Sequence, residues 1–195
     1  MGVRIGVLDL QGDVSEHTAA FRQALSEAGI LRGSDVITVR KAEQIPSCDG
    51  LAIPGGESTT ISKLIGKNGM RGPLGEFHGG IFATCAGLIV MAKKVPDPRV
   101  NPLGLLDIDV SRNAFGRQKD SFEADLPVKG LDSPFHAVFI RAPVISRVGE
   151  GVEVLATVDG NPVAVRQGKH LGLAFHPELS GDTRLHRLFL DGITS

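Results

Sequence analysis

The sequence predicts an α/β domain with a mostly parallel sheet covered by helices and an antiparallel extension. Two observations carry that expectation. In the first half, short β-branched apolar runs alternate with stretches whose apolar residues recur at helical spacing, the rhythm of βαβ units. In the second half strand-like runs follow one another across short turns, as antiparallel strands do.

The opening Val3-Arg4-Ile5-Gly6-Val7-Leu8 is apolar at most positions, as in a strand buried on both faces. After the break at Gly12-Asp13, Ala20, Phe21, Ala24, Leu25 and Ala28 repeat at helical spacing, and Gly29 suits the left-handed residue that ends a helix. Residues 36–39 and Gly50–Ile53 predict the next two strands, the latter stopped by Pro54-Gly55-Gly56. Ser58 predicts an N-cap for a helix carrying Ile61, Leu64 and Ile65. Residues 81–84 read as a strand, 87–93 as a helix, and 96–102, with three prolines, as a loop. Beyond it, strands are expected near 107–110, 121–125 and 136–140. Residues 152–158 and 162–167 form a hairpin turned at Asp159-Gly160, 171–175 another strand, and 184–190 the start of a closing helix. There is no internal repeat and no linker-like stretch, so residues 1–195 are expected to form one domain.

Composition narrows the function. A chain of 195 residues, 42% hydrophobic and 22% charged, has the make-up of an ordinary globular protein. At that size folding buries roughly 70% of the extended chain's surface, so a core needs no staples. Twenty-one basic against 22 acidic residues leave a formal charge of −1, with no net field toward nucleic acid or an anionic membrane. The longest apolar stretch, residues 81–92, is 12 residues interrupted by Thr84 and Gly87, too short to cross a bilayer. The N-terminus runs straight into the first strand pattern without leader architecture. Two cysteines make neither a disulfide framework nor a CxxC site, and a reducing cytoplasm is the expected location. With no Trp or Tyr, a base-stacking surface would rest on nine scattered Phe.

Three segments carry chemistry. Cys85, in Ala83-Thr84-Cys85-Ala86-Gly87, lies at the joint of an apolar strand and an apolar helix. A sharp turn there pushes the side chain out of the sheet and sets it at a helix N-terminus, where the dipole favours a thiolate. Alone, such a cysteine is more often a buried structural residue, and a free thiol is only slightly ionised at neutral pH, so the functional reading needs a base. His176-Pro177-Glu178 supplies one. The residue before proline is extended, and in extended chain residues i and i+2 point the same way, so Glu178 can hold one imidazole nitrogen while the other faces a nucleophile. The segment follows a strand, and ligands of open α/β sheets bind at strand C-terminal ends. The third segment is Pro54-Gly55-Gly56-Glu57-Ser58-Thr59-Thr60. Its paired glycines free the backbone to aim N–H groups at an oxyanion, whereas the spacing and lysine of a phosphate loop are absent. The other histidines, at 17, 78, 136, 170 and 186, and Cys48 read as structural or solvated.

Each segment alone is weak; in this order they are specific. The chain resembles the class I, triad-type glutamine amidotransferases, and more closely the glutaminase subunits of bacterial pyridoxal 5′-phosphate synthases. Further motifs carry that closer likeness: Gly6-Val7-Leu8-Asp9-Leu10-Gln11-Gly12 with Glu16-His17, Arg112-Asn113-Ala114-Phe115-Gly116-Arg117-Gln118 before Ser121-Phe122-Glu123, and Phe139-Ile140-Arg141-Ala142-Pro143. The resemblance covers nearly the whole chain. It implies a flavodoxin-like three-layer fold, with Cys85 as nucleophile, His176 as acid/base and Glu178 as orienting carboxylate. It further implies glutamine binding by Gly56, Glu57, Ser58, Arg112, Ile140 and Arg141, with oxyanion donors at Gly55, Gly56 and Ala86. No metal or cofactor is implied. The implied partners are L-glutamine and a barrel-shaped synthase subunit that consumes ammonia to make pyridoxal 5′-phosphate. One departure is Ala83, where the family usually has glycine two residues before the cysteine. The rival reading is a cysteine peptidase or deglycase of the related superfamily, which lacks the HPE partner on the last strand; a non-enzymatic module would require a missing catalytic residue.

Overall fold

The computed structural model describes residues 2–30, 32–112 and 121–194. Its main sheet has seven strands: β1 (Arg4–Leu8), β2 (Asp35–Val39), β3 (Gly50–Ile53), β4 (Gly80–Thr84), β10 (Glu153–Val158), β11 (Asn161–Gln167) and β12 (His170–Leu173). Their order is β10-β11-β12-β4-β3-β1-β2. The five strands from β12 to β2 are mutually parallel, while β11 runs antiparallel to both β10 and β12. Helices α1 (Val14–Glu27) and α5 (Arg184–Thr194) pack together against the sheet, where Phe21 and Phe189 meet Phe82 of β4 edge-on at 5.4 and 5.5 Å. Helices α2 (Ser58–Lys67) and α4 (Ala86–Met91) pack against each other, and the short α3 (Arg71–Gly75) follows α2. Gly87 lets α4 approach β3 closely: a Cβ there would lie 2.1 Å from the Ile53 carbonyl oxygen.

The extension consists of β5 (Ala92–Lys94), β6 (Leu106–Ser111) and β9 (Val144–Val148) in one small sheet, and β7 (Ser121–Leu126) paired antiparallel with β8 (Phe135–Ile140). The expected hairpin of β10 and β11 forms, with Asp159 and Gly160 both at positive φ (50° and 78°), as a two-residue turn of right-twisting strands requires.

Three local expectations are corrected. The expected helix over 87–93 stops at Met91, because the amides of Leu103, Leu105 and Gly104 take the carbonyls of Val90, Met91 and Ala92, and the chain continues as β5. Helix α2 is capped by Glu57, whose carboxylate accepts the amides of Thr59 (3.1 Å) and Thr60 (2.8 Å), while Ser58 is its first, buried residue. The last parallel strand ends at Leu173: Ala174 donates to Val163 and His176 to Val138, so the chain leaves β4 and turns toward β8. No described helix is long and apolar enough to cross a membrane.

Candidate active site

The C-terminal ends of β1, β3, β4 and β12 lie along one edge of the sheet, and the segments leaving them meet there. From β3 comes Pro54-Gly55-Gly56-Glu57, from β4 Cys85, and from β12 His176 and Glu178. The β1–α1 turn brings Gln11 and Asp13 to the same place. It approaches the glycine pair so closely that a Cβ on Gly12 would fall 1.7 Å from the Gly55 carbonyl oxygen.

Cys85 has φ 48° and ψ −104°, a conformation L-residues rarely adopt, held by its amide's bond to the Leu173 carbonyl at 2.8 Å. Ala83 does not disturb this elbow. It lies inside β4, fully buried, in register with Ile53 and with Gly172, two residues before the turn. The Cys85 thiol donates to the Ile140 carbonyl at 3.8 Å and shares the cavity lining with His176. His176 Nδ1 lies 2.7 Å from Glu178 Oε1 and 3.3 Å from Asp13 Oδ2. Glu178 does stand beside His176, but not through extended chain: His176 (φ −110°, ψ 83°) precedes a 3₁₀ turn over Pro177–Leu179, and that turn swings Glu178 back beside the imidazole.

Burial disfavours a charge on His176, but the hydrogen bonds and opposite charges of Cys85 and Glu178 outweigh it and hold its pKa up to about 10. Burial pushes the Glu178 carboxyl upward, opposed by His176. The pair therefore favours an imidazolium between two acceptors. Asp13, His176 and Glu178 place ligand atoms within 4.8 Å of one another, yet the imidazole nitrogen that both carboxylates face is already hydrogen-bonded to Glu178. The cluster is a hydrogen-bonded network.

These groups open onto a cavity of about 350 Å³. It is lined by Cys85, Ala86 and His176, by Gly56, Glu57 and Ser58, and by Arg112, Ile140 and Arg141, together with Gln11, Asp13 and Ile89. All the expected substrate residues thus converge. Gly55 is not in the lining but abuts it: a Cβ there would lie 2.5 Å from His176 Cε1. Its carbonyl accepts the Asp13 amide at 3.3 Å. The Glu57 amide donates to Gln11 Oε1 at 2.7 Å, and its carboxylate accepts from Arg112 Nη2 at 3.3 Å, while Arg112 Nη1 lies 2.5 Å from Asp97. Burial opposes ionisation of Glu57, but the two threonine hydroxyls and two amides at the head of α2 bring its pKa down to about 2. Arg141, like Cys85, has positive φ (43°). Of the arginine-rich motif, Arg112 is placed and residues 113–118 lie outside the described residues. Gln11, Asp13 and Ile89 were not singled out as site residues; the hints in the sequence were that Gln11 lies in the opening motif of the resemblance and that Gln11 and Asp13 follow the C-terminal end of the first strand.

Residues 7–195 match the SNO glutamine amidotransferase family. The pyridoxal 5′-phosphate synthase subunit PdxT of Methanosphaerula palustris is 65% identical over 193 residues, covering 99% of this chain and 98% of its own. The protein of the same name from Methanoculleus marisnigri is 61% identical over 193 residues, covering 99% of each. A crystal structure described as a glutamine amidotransferase superposes with a TM-score of 0.87 at 49% identity, over 98% of this chain and 99% of the other. The glutaminase domain of Trypanosoma brucei CTPS with bound acivicin shares the fold alone, with a TM-score of 0.59 at 13% identity over 98% and 94% of the two chains. With a family match over nearly its whole length and relatives this similar, the chain belongs to the SNO glutamine amidotransferase family.

Proposed function

We propose that this chain hydrolyses L-glutamine to glutamate and ammonia and delivers the ammonia to a separate synthase subunit that builds pyridoxal 5′-phosphate. The observation that carries the reading is Cys85 on a strained elbow, lining a cavity sized for an amino acid together with a histidine that Glu178 holds at 2.7 Å. The names of the full-length relatives supply the synthase.

The Cys85 thiolate attacks the side-chain amide carbon of glutamine, forming a C–S bond and a tetrahedral oxyanion. Backbone N–H groups at Gly55, Gly56 and Ala86 are its donors, Ala86 being the first residue of α4 and so free of a helical partner. The His176 imidazolium protonates the departing nitrogen; the C–N bond breaks and ammonia leaves a γ-glutamyl thioester. Neutral His176 then takes a proton from water, whose oxygen attacks the thioester, and glutamate departs as the thiolate and imidazolium are restored. Gly56, Glu57, Ser58, Arg112, Ile140 and Arg141 position the substrate. Arg112 is already shared between Glu57 and Asp97, whereas Arg141 makes no ion pair among the described residues, which leaves it to receive the substrate's carboxylate.

Ammonia released into water becomes ammonium and loses its nucleophilicity, so hydrolysis should wait for the acceptor. The Gly55–Gly56 peptide offers the switch. Among the described residues its carbonyl is held only by the long Asp13 bond, and with no Cβ on either side it can turn over at low steric cost, adding or removing one oxyanion donor. One donor is worth ~10²–10³ in rate. The test is steady-state glutamate formation by the pure chain, alone and saturated with the synthase subunit, with Cys85→Ala alongside. The expected result is activation by the partner and no activity in Cys85→Ala. Equal rates with and without the synthase reject the switch, and turnover by Cys85→Ala rejects the nucleophile.

A further inference from the structure

Behind the carboxylate of the triad lies a histidine that the mechanism above does not use. Glu178 turns Oε1 to His176, but Oε2 is buried and makes no hydrogen bond of ordinary geometry to any described residue. An unpaired buried carboxylate oxygen is costly. Facing it, at 3.4 Å, is Nε2 of His17 on α1, and the same nitrogen lies 3.0 Å from Thr84 Oγ1. The side chains of His17 and Glu178, and Thr84 as a whole, are 0% exposed. Thr84 directly precedes Cys85. The contacts therefore close a ring that runs from the nucleophile through His176, Glu178 and His17 back to the strand end beneath the nucleophile.

His17 is neutral: burial drives its pKa well below 6.5, and the neighbouring His186 and His176 push the same way. A neutral imidazole has a single N–H. Placed on Nδ1, that hydrogen would be buried without an acceptor among the described residues, and a lone pair on Nε2 would face a carboxylate oxygen. Placed on Nε2, it faces both Glu178 and the Thr84 hydroxyl. The proton belongs on Nε2.

We infer that His17 is a positioning residue, whose Nε2–H, shared between Thr84 Oγ1 and Glu178 Oε2, fixes the Glu178 carboxylate so that Oε1 stays on His176. This rests on the triad assignment of the previous subsection. Hydrogen bonds of this kind are often long before substrate binds and shorten in the productive complex. Mere filling of the core is the competing explanation, since the ring also meets Phe82 edge-on at 5.9 Å. Substitutions that keep the volume but change the donor separate the two.

Steady-state glutamate formation is measured on the full chain, alone and with the synthase subunit, for His17→Phe, His17→Gln and His17→Asn. Phe keeps the ring and loses the donor; the Gln amide nitrogen reaches where imidazole Nε2 stood; Asn carries the same amide one methylene short. Expected is a kcat loss of roughly 5- to 30-fold for Phe and Asn, no larger than that of losing the Glu178 charge through which His17 acts, with KM within about twofold and most of the rate recovered in Gln. In a Glu178→Gln background, His17→Phe should cost less than about threefold more, because the carboxylate it serves is gone. Parental kcat in a folded His17→Phe, or full additivity with Glu178→Gln, overturns the inference. If Phe does not fold, equal rates for Gln and Asn overturn it. Activity persisting in Cys85→Ala or His176→Ala would instead refute the triad itself, a result that the His17 variants cannot mimic.

Discussion

Replacing Glu178 by Gln tests how the imidazole is charged. The change keeps the volume and one acceptor oxygen but removes the negative charge 2.7 Å from His176 Nδ1. A hydrogen bond to a charged partner contributes about 1.5–3 kcal/mol and a neutral one about 0.5–1.5, so the exchange gives up about 1–2 kcal/mol of imidazolium stabilisation. If all of it is felt in the transition state, kcat/KM falls roughly 5- to 30-fold. The loss is bounded because Asp13 Oδ2, 3.3 Å from the same nitrogen, keeps a carboxylate in place. His176→Ala removes the proton donor itself and should cost ~10²–10⁴. A pH profile adds a sign. In the parent, the His176 imidazolium, proposed to protonate the leaving group, persists up to a pKa of about 10, against burial, because Cys85 and Glu178 favour it. Without the Glu178 charge that pKa falls, so the alkaline limb of kcat/KM moves to lower pH. The assay is glutamate formation across the pH range in which far-UV circular dichroism shows the variants folded. Equal losses for Glu178→Gln and His176→Ala, or an alkaline limb that moves upward, would refute the assigned role of the carboxylate.

Ala83→Gly, which restores the residue usual in the family, should leave kcat unchanged and lower stability by about 1–2 kcal/mol, the sum of a lost buried methyl and glycine's backbone entropy in a strand, read by denaturant unfolding; a large change in kcat would show that the elbow depends on this position. Arg141→Ala should raise KM for glutamine roughly 10- to 100-fold with a smaller change in kcat, and an unchanged KM would remove Arg141 from the substrate site. His186 is fully buried against Phe82 and Phe21, has no partner for either nitrogen among the described residues, and burial pushes its pKa down to about 3. Its folded pKa lies below the unfolded value, so it costs nothing above pH 6.5 and erodes stability by about 1.4 kcal/mol per pH unit as pH falls from there toward 3. His186→Phe should therefore shift acid unfolding, followed by far-UV circular dichroism, to lower pH, and an unmoved midpoint would refute the account.

The parallel core was legible because its signal is local. Strands buried on both faces are apolar almost throughout, and β3 and β4 are, apart from Thr84 at the end of β4, with every residue buried. The hairpin at Asp159-Gly160 was legible for a similar reason, since the turn demands residues that tolerate positive φ. What sequence periodicity did not mark were elements made by distant partners. Strand β9 exists because β6 pairs with it, and α4 ends where amides of residues 103–105 take its carbonyls. The cap of α2 was misassigned by one residue because Ser58 has the commoner capping side chain, whereas Glu57, one residue earlier, reaches two amides and two hydroxyls at once.

The site divides along the same line. Cys85, His176 and Glu178 stood out because strand ends confine reacting groups to few positions, and their order along the chain is specific when taken together. His17 stood only within a motif of the resemblance, without a role: its partners, Thr84 and Glu178, are 67 and 161 positions away, and its helical neighbours suggest only a core-facing residue. Asp13 is the intermediate case. It stands at the break after β1 as an ordinary turn residue would, and only folding shows that its amide holds the Gly55 carbonyl while its carboxylate approaches His176. One residue thus touches both the peptide that would form the oxyanion hole and the base that would serve it. Any movement of the β1–α1 turn on docking of a partner must therefore reach the oxyanion peptide and the imidazole together.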